Sequence, residues 1–175
     1  MPSPRRTTQP RGRRLPYQEG TWFQVPLKPG GPVAVGLAAR MDGGGALLGY
    51  FFLLDHVPTA AQLAALSARE ARQVMMLGDL GLIEGSWPVL SGPLPGWDRE
   101  RWPLPEFKLY DELRKRWEIR TYDEKLRLPV AIRVASEAEV KDLPKDGLAG
   151  AGAVEAVLQQ LIGTTRPVKA QRSAA

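Results

Sequence analysis

No cysteine occurs in the 175 residues and only one histidine does. The first absence removes disulfides, thiolate catalysis and Cys-ligated zinc, and it fits a reducing compartment. The second leaves His56 as the one imidazole, short of the three or four protein ligands that a zinc site usually needs. Long apolar runs are missing too: the longest, ALLGYFFLL at 46–54, is too short to span a bilayer as a helix. Two adjacent arginines stand near the start, but no apolar stretch follows them, so neither a secretory nor a twin-arginine signal is expected. These features lead us to expect a soluble cytoplasmic protein with no membrane partner.

Phosphate chemistry is excluded by spacing. The run GDLGLIEGSWPVL (78–90) carries Gly78, Gly81 and Gly85, three and four residues apart, whereas a phosphate loop needs four residues between its glycines and then Gly-Lys-Ser/Thr. No lysine lies between Lys28 and Lys108, the dinucleotide fingerprint is also absent, and Asp79 and Glu84 would repel an anion placed among them. The expectation is that these glycines turn the chain between short strands. His56 follows Asp55 directly; neighbours on a strand point to opposite faces, and no G-x-S-x-G elbow offers a serine, so a loop histidine is favoured over a general base. Asp42, Asp79, Glu84, Asp98 and Glu100 could supply a carboxylate pair, but nothing in their spacing brings two together. No cofactor or metal is implied.

What the chain has in excess is positive charge, at +5 overall, and its distribution matters. Residues 1–16 hold five arginines and residues 166–175 hold Arg166, Lys169 and Arg172, with no acid in either stretch. That leaves 24 − 8 = 16 basic against 19 acidic residues in 17–165, a net −3. The basicity therefore belongs to the tails. The organisation expected is a disordered basic arm at 1–16, one folded domain at 17–165 and a disordered tail at 166–175. Nucleic acid would be met only through those tails.

Within the folded part, GTWFQVPL (20–27), PVAVGLAARM (32–41) and ALLGYFFLL read as an antiparallel meander, its turns marked by KPGG and DGGG, with 46–54 a central strand covered on both sides. Thr59 and Gln62 form a capping-box pattern ahead of a helix at about 60–70. RQVMML (72–77), EFKLY (106–110), RWEIRTYD (116–123) and PVAIRVA (129–135) follow as strands. A last amphipathic helix spans 152–163, with Gly163 at its C-terminal cap position, and packs on the sheet rather than on a second copy. The fold class is α+β and mainly β: an antiparallel sheet or partly closed barrel with one inserted helix and a C-terminal helix. Trp22, Phe51, Leu82 and Trp117 are the expected core markers.

The segment SWPVLSGPLPGWDRERWPLPEF (86–107) is too rich in proline and glycine for a helix, and three tryptophans punctuate it. Two readings stay open. The rings pin a long connection to the core, or some of them join acids in a partner-binding face. The candidate face comprises Asp79, Glu84, Trp87, Trp97, Asp98, Glu100 and Trp102.

The strings EGTWFQVPL, VGLAARM, GGALLGYFF, GDLGLIEGSWPVL and WDRERWPLPEF, in this order, resemble the immunity protein 26 family of bacterial polymorphic-toxin systems, over about residues 17–135. The resemblance implies a mainly β cytoplasmic protein without enzymatic activity that protects its producer by binding a cognate toxin domain. It carries no contact residues over to this chain. The acidic balance of 17–165 agrees with a basic partner. The alternatives are a nucleic-acid-binding module using the basic arm, or a small-ligand-binding protein using the β core near His56 and Trp87. Oligomeric state is not legible at this level.

Overall fold

The computed structural model describes residues 15–165, so the expectations for the basic arm and the C-terminal tail fall almost wholly outside the described residues. The fold is mainly β and is built from two sheets that do not close into a barrel. The larger has six strands in the order β5-β1-β2-β3-β4-β9, comprising β1 (Trp22–Val25), β2 (Val33–Met41), β3 (Ala46–Leu54), β4 (Gln73–Gly78), β5 (Val89–Ser91) and β9 (Leu148–Ala149). Every pairing in it is antiparallel except β4 with β9. The smaller is an antiparallel meander of β6 (Phe107–Asp111), β7 (Arg116–Tyr122) and β8 (Pro129–Ala135).

The opening meander forms as its turn chemistry requires. Asp42 accepts from the backbone N–H groups of Gly44 (2.6 Å) and Ala46 (2.9 Å), closing the β2–β3 hairpin. The central strand β3 is buried along six consecutive residues, Leu47–Phe52, so side chains of both phases leave water. Two apolar layers result. On one face Phe23, Phe51, Leu77, Leu82 and Trp87 pack against helix α4 (Ala151–Thr165) through Val154 and Leu158. On the other, Trp22, Phe52, Leu63, Trp102 and Phe107 form a second cluster beneath helix α1 (Ala60–Ala65) and the smaller sheet.

Several local expectations change in detail. The capping box at Thr59 is present, with Gln62 Oε1 accepting from the Thr59 N–H at 2.8 Å, but α1 stops at Leu66, whose ψ of 147° is extended. A second box, Ser67 with Glu70, then starts a separate 3₁₀ turn at Ala68–Glu70. The 60–70 helix is thus two short pieces. The 78–85 glycines do not simply turn between strands: Leu80–Ile83 is a helical turn, α2, and the ring of Trp87 lies so close on Gly81 that a Cβ there would collide with it. Helix α4 runs through Gly163 instead of ending before it, and its Val154–Leu158–Ile162 stripe does lie on the chain's own sheet. Among the described residues no helix is long and apolar enough to cross a membrane.

Of the four core markers, Trp22, Phe51 and Leu82 are buried. Trp117 is only half-buried, which corrects the expectation. The smaller sheet carries on that face one four-residue helix, α3 (Glu137–Val140), which covers Ile119 and leaves Trp117 at the rim against Tyr110. The residue that is buried next to it is Glu118, paired with Arg116 (3.2 Å) and Arg120 (3.6 Å).

Trp87, fully buried and stacked on Phe23, should be the tryptophan whose loss destabilises most. Trp87→Ala is expected to cost about 3–5 kcal/mol in urea unfolding. Trp117→Ala, at a half-buried rim position, should cost less than about 2 kcal/mol. Equal losses for the two variants would contradict the layer assignment.

Candidate partner-binding surface

Phe23 and Trp22 are adjacent on β1 and so point to opposite faces of the larger sheet. Trp87 stacks on Phe23 with centroids 5.6 Å apart and planes within 1°. Trp102 meets Trp22 edge-on at 5.7 Å and also packs against Tyr50 and Phe52. The two ends of the proline-rich segment therefore grip opposite faces, while β5 between them pairs with β1 along the sheet edge. Sequence analysis grouped the 78–87 and 97–102 stretches in one face, but their aromatic anchors, Trp87 and Trp102, belong to different layers.

Each candidate residue has a definite place. Trp87 is buried, and its Nε1 donates to Glu155 Oε1 of α4 at 3.0 Å. Trp102 is buried in the second cluster. Asp79 is half-buried and accepts the Tyr17 hydroxyl at 2.6 Å. Glu84 is exposed at the end of α2, on the α4 side with Asp79. Asp98 is exposed and caps a 3₁₀ turn at Arg99–Arg101, its Oδ1 accepting from the Glu100 N–H at 3.0 Å; Glu100 is exposed as well. Trp97 is half-buried, stacked on Trp102 at 6.5 Å, with its ring packed over Gly20. The structure thus brings together Trp97, Asp98 and Glu100 at the surface, supported from beneath by Trp102.

Ion pairs tie this lip to the rest of the fold. Arg99 bridges Glu19 (3.2 Å) and Glu124 (2.8 Å), and Glu124 in turn accepts from Nε of the buried Arg40 at 2.6 Å. The loop is fastened to the start of the domain, to β2 and to the connection after β7. Beside the lip, Leu63, Leu66, Leu94 and Arg101 join Trp97 and Trp102 around a cleft of about 200 Å³. The sequence gives no hint of Glu124 or Arg40 as supports, since they lie far from the loop in the chain.

No family model, curated protein or solved structure matches the chain. What it does must therefore be inferred from its own residues. His56 is an exposed loop residue whose Nε2 lies 3.1 Å from the amide nitrogen of Gln62, the side chain that caps α1. Among the described residues no three histidines or carboxylates gather where they could hold a metal ion.

A second polar cluster lies where the two sheets meet. Asp146, buried, accepts from Arg120 Nη1 at 3.0 Å and from the Tyr122 hydroxyl at 2.8 Å, at the edge of a cleft of about 560 Å³ also lined by Asp42, Leu126 and Arg127. Sequence analysis passed over it because Asp146 is 24 residues from Tyr122 and lies in no strand. Arg120 and Tyr122 of β7 thus tie the smaller sheet to the segment just before β9, although Arg120 Nε is buried without a partner. Burial first, then the hydrogen bond to Asp146 and its negative charge, pushes the Tyr122 phenol up to about 12. Burial likewise pushes Tyr50, which donates to the Pro103 carbonyl, up to about 12. Tyr17 is raised by burial, by its hydrogen bond to Asp79 and by the charges of Asp79 and Asp42.

These raised values mean that the folded state holds its tyrosine protons more tightly than the unfolded chain. The stabilisation is complete below the ordinary value of 10.0 and falls as pH rises through about 12, because the unfolded state then binds fewer protons. Urea midpoints measured between pH 8 and pH 12 should decline above pH 10, and Tyr122→Phe should show a shallower decline than wild type. Parallel curves for the two proteins would mean that Tyr122 is not held as described.

Proposed function

We propose that this protein is a non-catalytic immunity protein that binds and neutralises a cognate toxin domain in the cytoplasm of the cell that makes both, as its resemblance to the immunity protein 26 family implies. The observation that carries the reading is the lip of Trp97, Asp98 and Glu100: a half-exposed aromatic ring flanked by two exposed acids on a loop fastened by Arg99 and Trp102. Aromatic anchors on preorganised loops are favoured at interfaces because little side-chain or loop freedom is lost on association. Two acids beside the ring favour a basic partner and speed its approach. A net −3 over 17–165 has the same sign. Toxin domains that act on nucleic acid carry basic clefts, and blocking such a cleft needs shape and charge but no chemistry from the inhibitor.

Of the seven residues expected from sequence, the lip retains Trp97, Asp98 and Glu100. Trp87 and Trp102 act from within as supports, and Asp79 is engaged by Tyr17. Glu84 lies with the other layer and contributes only to the overall field.

Co-expression with a candidate toxin domain, sought among the genes neighbouring its own, tests the proposal. Wild type should protect the host and co-purify with the toxin. Trp97→Ala should weaken the complex by about 2 kcal/mol or more without lowering the melting temperature to the same degree as Trp87→Ala. Asp98→Lys with Glu100→Lys should slow association about tenfold at low salt, with the difference shrinking as salt is added. Deleting residues 1–16 should leave affinity unchanged. Binding that survives the lip variants and disappears with the arm would place recognition in the basic tail and overturn this reading.

A further inference from the structure

The cleft where the two sheets meet carries charged groups that joining the sheets does not explain. Its volume of about 560 Å³ lies within the roughly 300–1,000 Å³ of small-molecule sites, which commonly form between packed units. Met76 and Leu126, both buried, and Leu148, 62 % exposed, give it an apolar lining. Neither His56 nor Trp87 reaches it.

Two groups of opposite sign line this cleft without meeting. Asp42, from the β2–β3 turn of the larger sheet, uses Oδ1 on the N–H groups of Gly44 and Ala46, and its Oδ2 has no partner among the described residues. Arg127 comes from the β7–β8 connection of the smaller sheet. Just before it, Leu126 takes a left-handed backbone (φ 54°), its N–H donating to the Asp123 carbonyl at 3.1 Å, and sinks its side chain into the second apolar cluster. Arg127 is thereby left exposed at the cleft, with no hydrogen bond or ion pair among the described residues. Beside it Arg120 is held by Asp146 (3.0 Å) and Glu118 (3.6 Å), yet its buried Nε–H is one acceptor short.

These charges restrict what fits. Within the lining, Asp42 and Asp146 balance Arg120 and Arg127. A simple anion would meet the unpaired Asp42 carboxylate, and a simple cation the unpaired Arg127 guanidinium, each a repulsion. A molecule bearing both charges can satisfy both walls. We propose that this cleft binds a small zwitterion with an apolar body, an aliphatic amino acid or a short aliphatic peptide. Its carboxylate sits on Arg127 beside Arg120, its ammonium on Asp42 Oδ2, and its apolar part against Met76, Leu126 and Leu148. The site is separate from the lip, whose cleft shares none of these residues, so it does not rest on the toxin-binding reading.

The full chain should be titrated by heteronuclear NMR with L-leucine, leucyl-leucine, isocaproate, which lacks the ammonium, and isoamylamine, which lacks the carboxylate. At least one zwitterion should shift the Met76 methyl and the Arg120 and Arg127 Nε–H signals saturably below about 10 mM, the weak end of small-ligand affinity. Tighter binding of leucyl-leucine would identify a peptide site, and the reverse a free amino-acid site. Isocaproate and isoamylamine should bind about tenfold more weakly or worse, each having lost one charge-assisted contact. Arg127→Gln alters an exposed side chain, and Asp42→Asn keeps the Oδ1 acceptor that closes its turn, so both should fold as wild type. Each should weaken the zwitterion about tenfold, while Arg127→Gln leaves isoamylamine binding unchanged and Trp97→Ala changes none of the titrations. No saturable shift at these residues with either zwitterion, equal affinity for a singly charged analogue, or variants that bind as well as wild type would each overturn the proposal.

Discussion

The fold depends on the alternation of two adjacent aromatic side chains on β1. Trp22 and Phe23 cannot share a face, so the larger sheet has to be covered on both. One proline-rich connection supplies a tryptophan to each side, Trp87 over Phe23 and Trp102 over Trp22. Between them the chain adds β5 to β1 and rounds the edge. Its prolines cost few ladder bonds there, because the segment has to leave the sheet in any case. The same geometry explains the exposure of Trp97. With both layers filled by its neighbours, it can only stack on the outside of Trp102.

Charged groups hold the second sheet to the first, and their arrangement shows why buried ions are tolerated here. Arg40, Glu118 and Asp146 are each almost wholly removed from water, which is unfavourable unless a partner is fixed in place. Glu124, Arg116, Arg120 and Tyr122 provide those partners from strands and turns that are already ordered by the apolar layers. Arg40 with Glu124, and Asp146 with Arg120 and Tyr122, join segments distant in sequence, so those ions add register, whereas Glu118 is matched by arginines of its own strand. The candidate lip joins that network through Arg99, which shares the Glu124 carboxylate with Arg40.

The strands were legible in the sequence because turn residues and apolar phase agree over 20–54 and 106–135. The helices were partly legible. Thr59-x-x-Gln62 marked α1, but Ser67-x-x-Glu70 and Ser136-x-x-Glu139 are the same signal and mark the 3₁₀ turn and α3, which the reading by apolar period overlooked. Period also misplaced Trp117. Alternation assigns a residue to a face, but only the neighbouring elements decide whether that face is covered, and four residues of α3 are too few to cover it. The grouping of the candidate residues was not legible for a related reason. Asp79 to Trp102 are close in the chain and rich in binding residue types, yet proximity along a chain that wraps a sheet edge carries no information about which face each part reaches.

A count of acids overstates the charge that a partner would meet. Asp42 and Asp111 bind the N–H groups of their own turns, Asp79 takes the Tyr17 hydroxyl, and Asp146 and Glu118 are buried with arginines. The net −3 of residues 17–165 therefore sets the sign of the field more than the place where contact occurs. At the lip, Asp98 also uses one carboxylate oxygen on the Glu100 N–H. Two exposed carboxylates at high dielectric contribute little binding energy each, whereas a ring already stacked and partly desolvated loses little freedom when a partner covers it. Specific affinity at such a site would then come mainly from Trp97 and from the shape of the cleft beside it, with the acids governing how quickly a basic partner arrives.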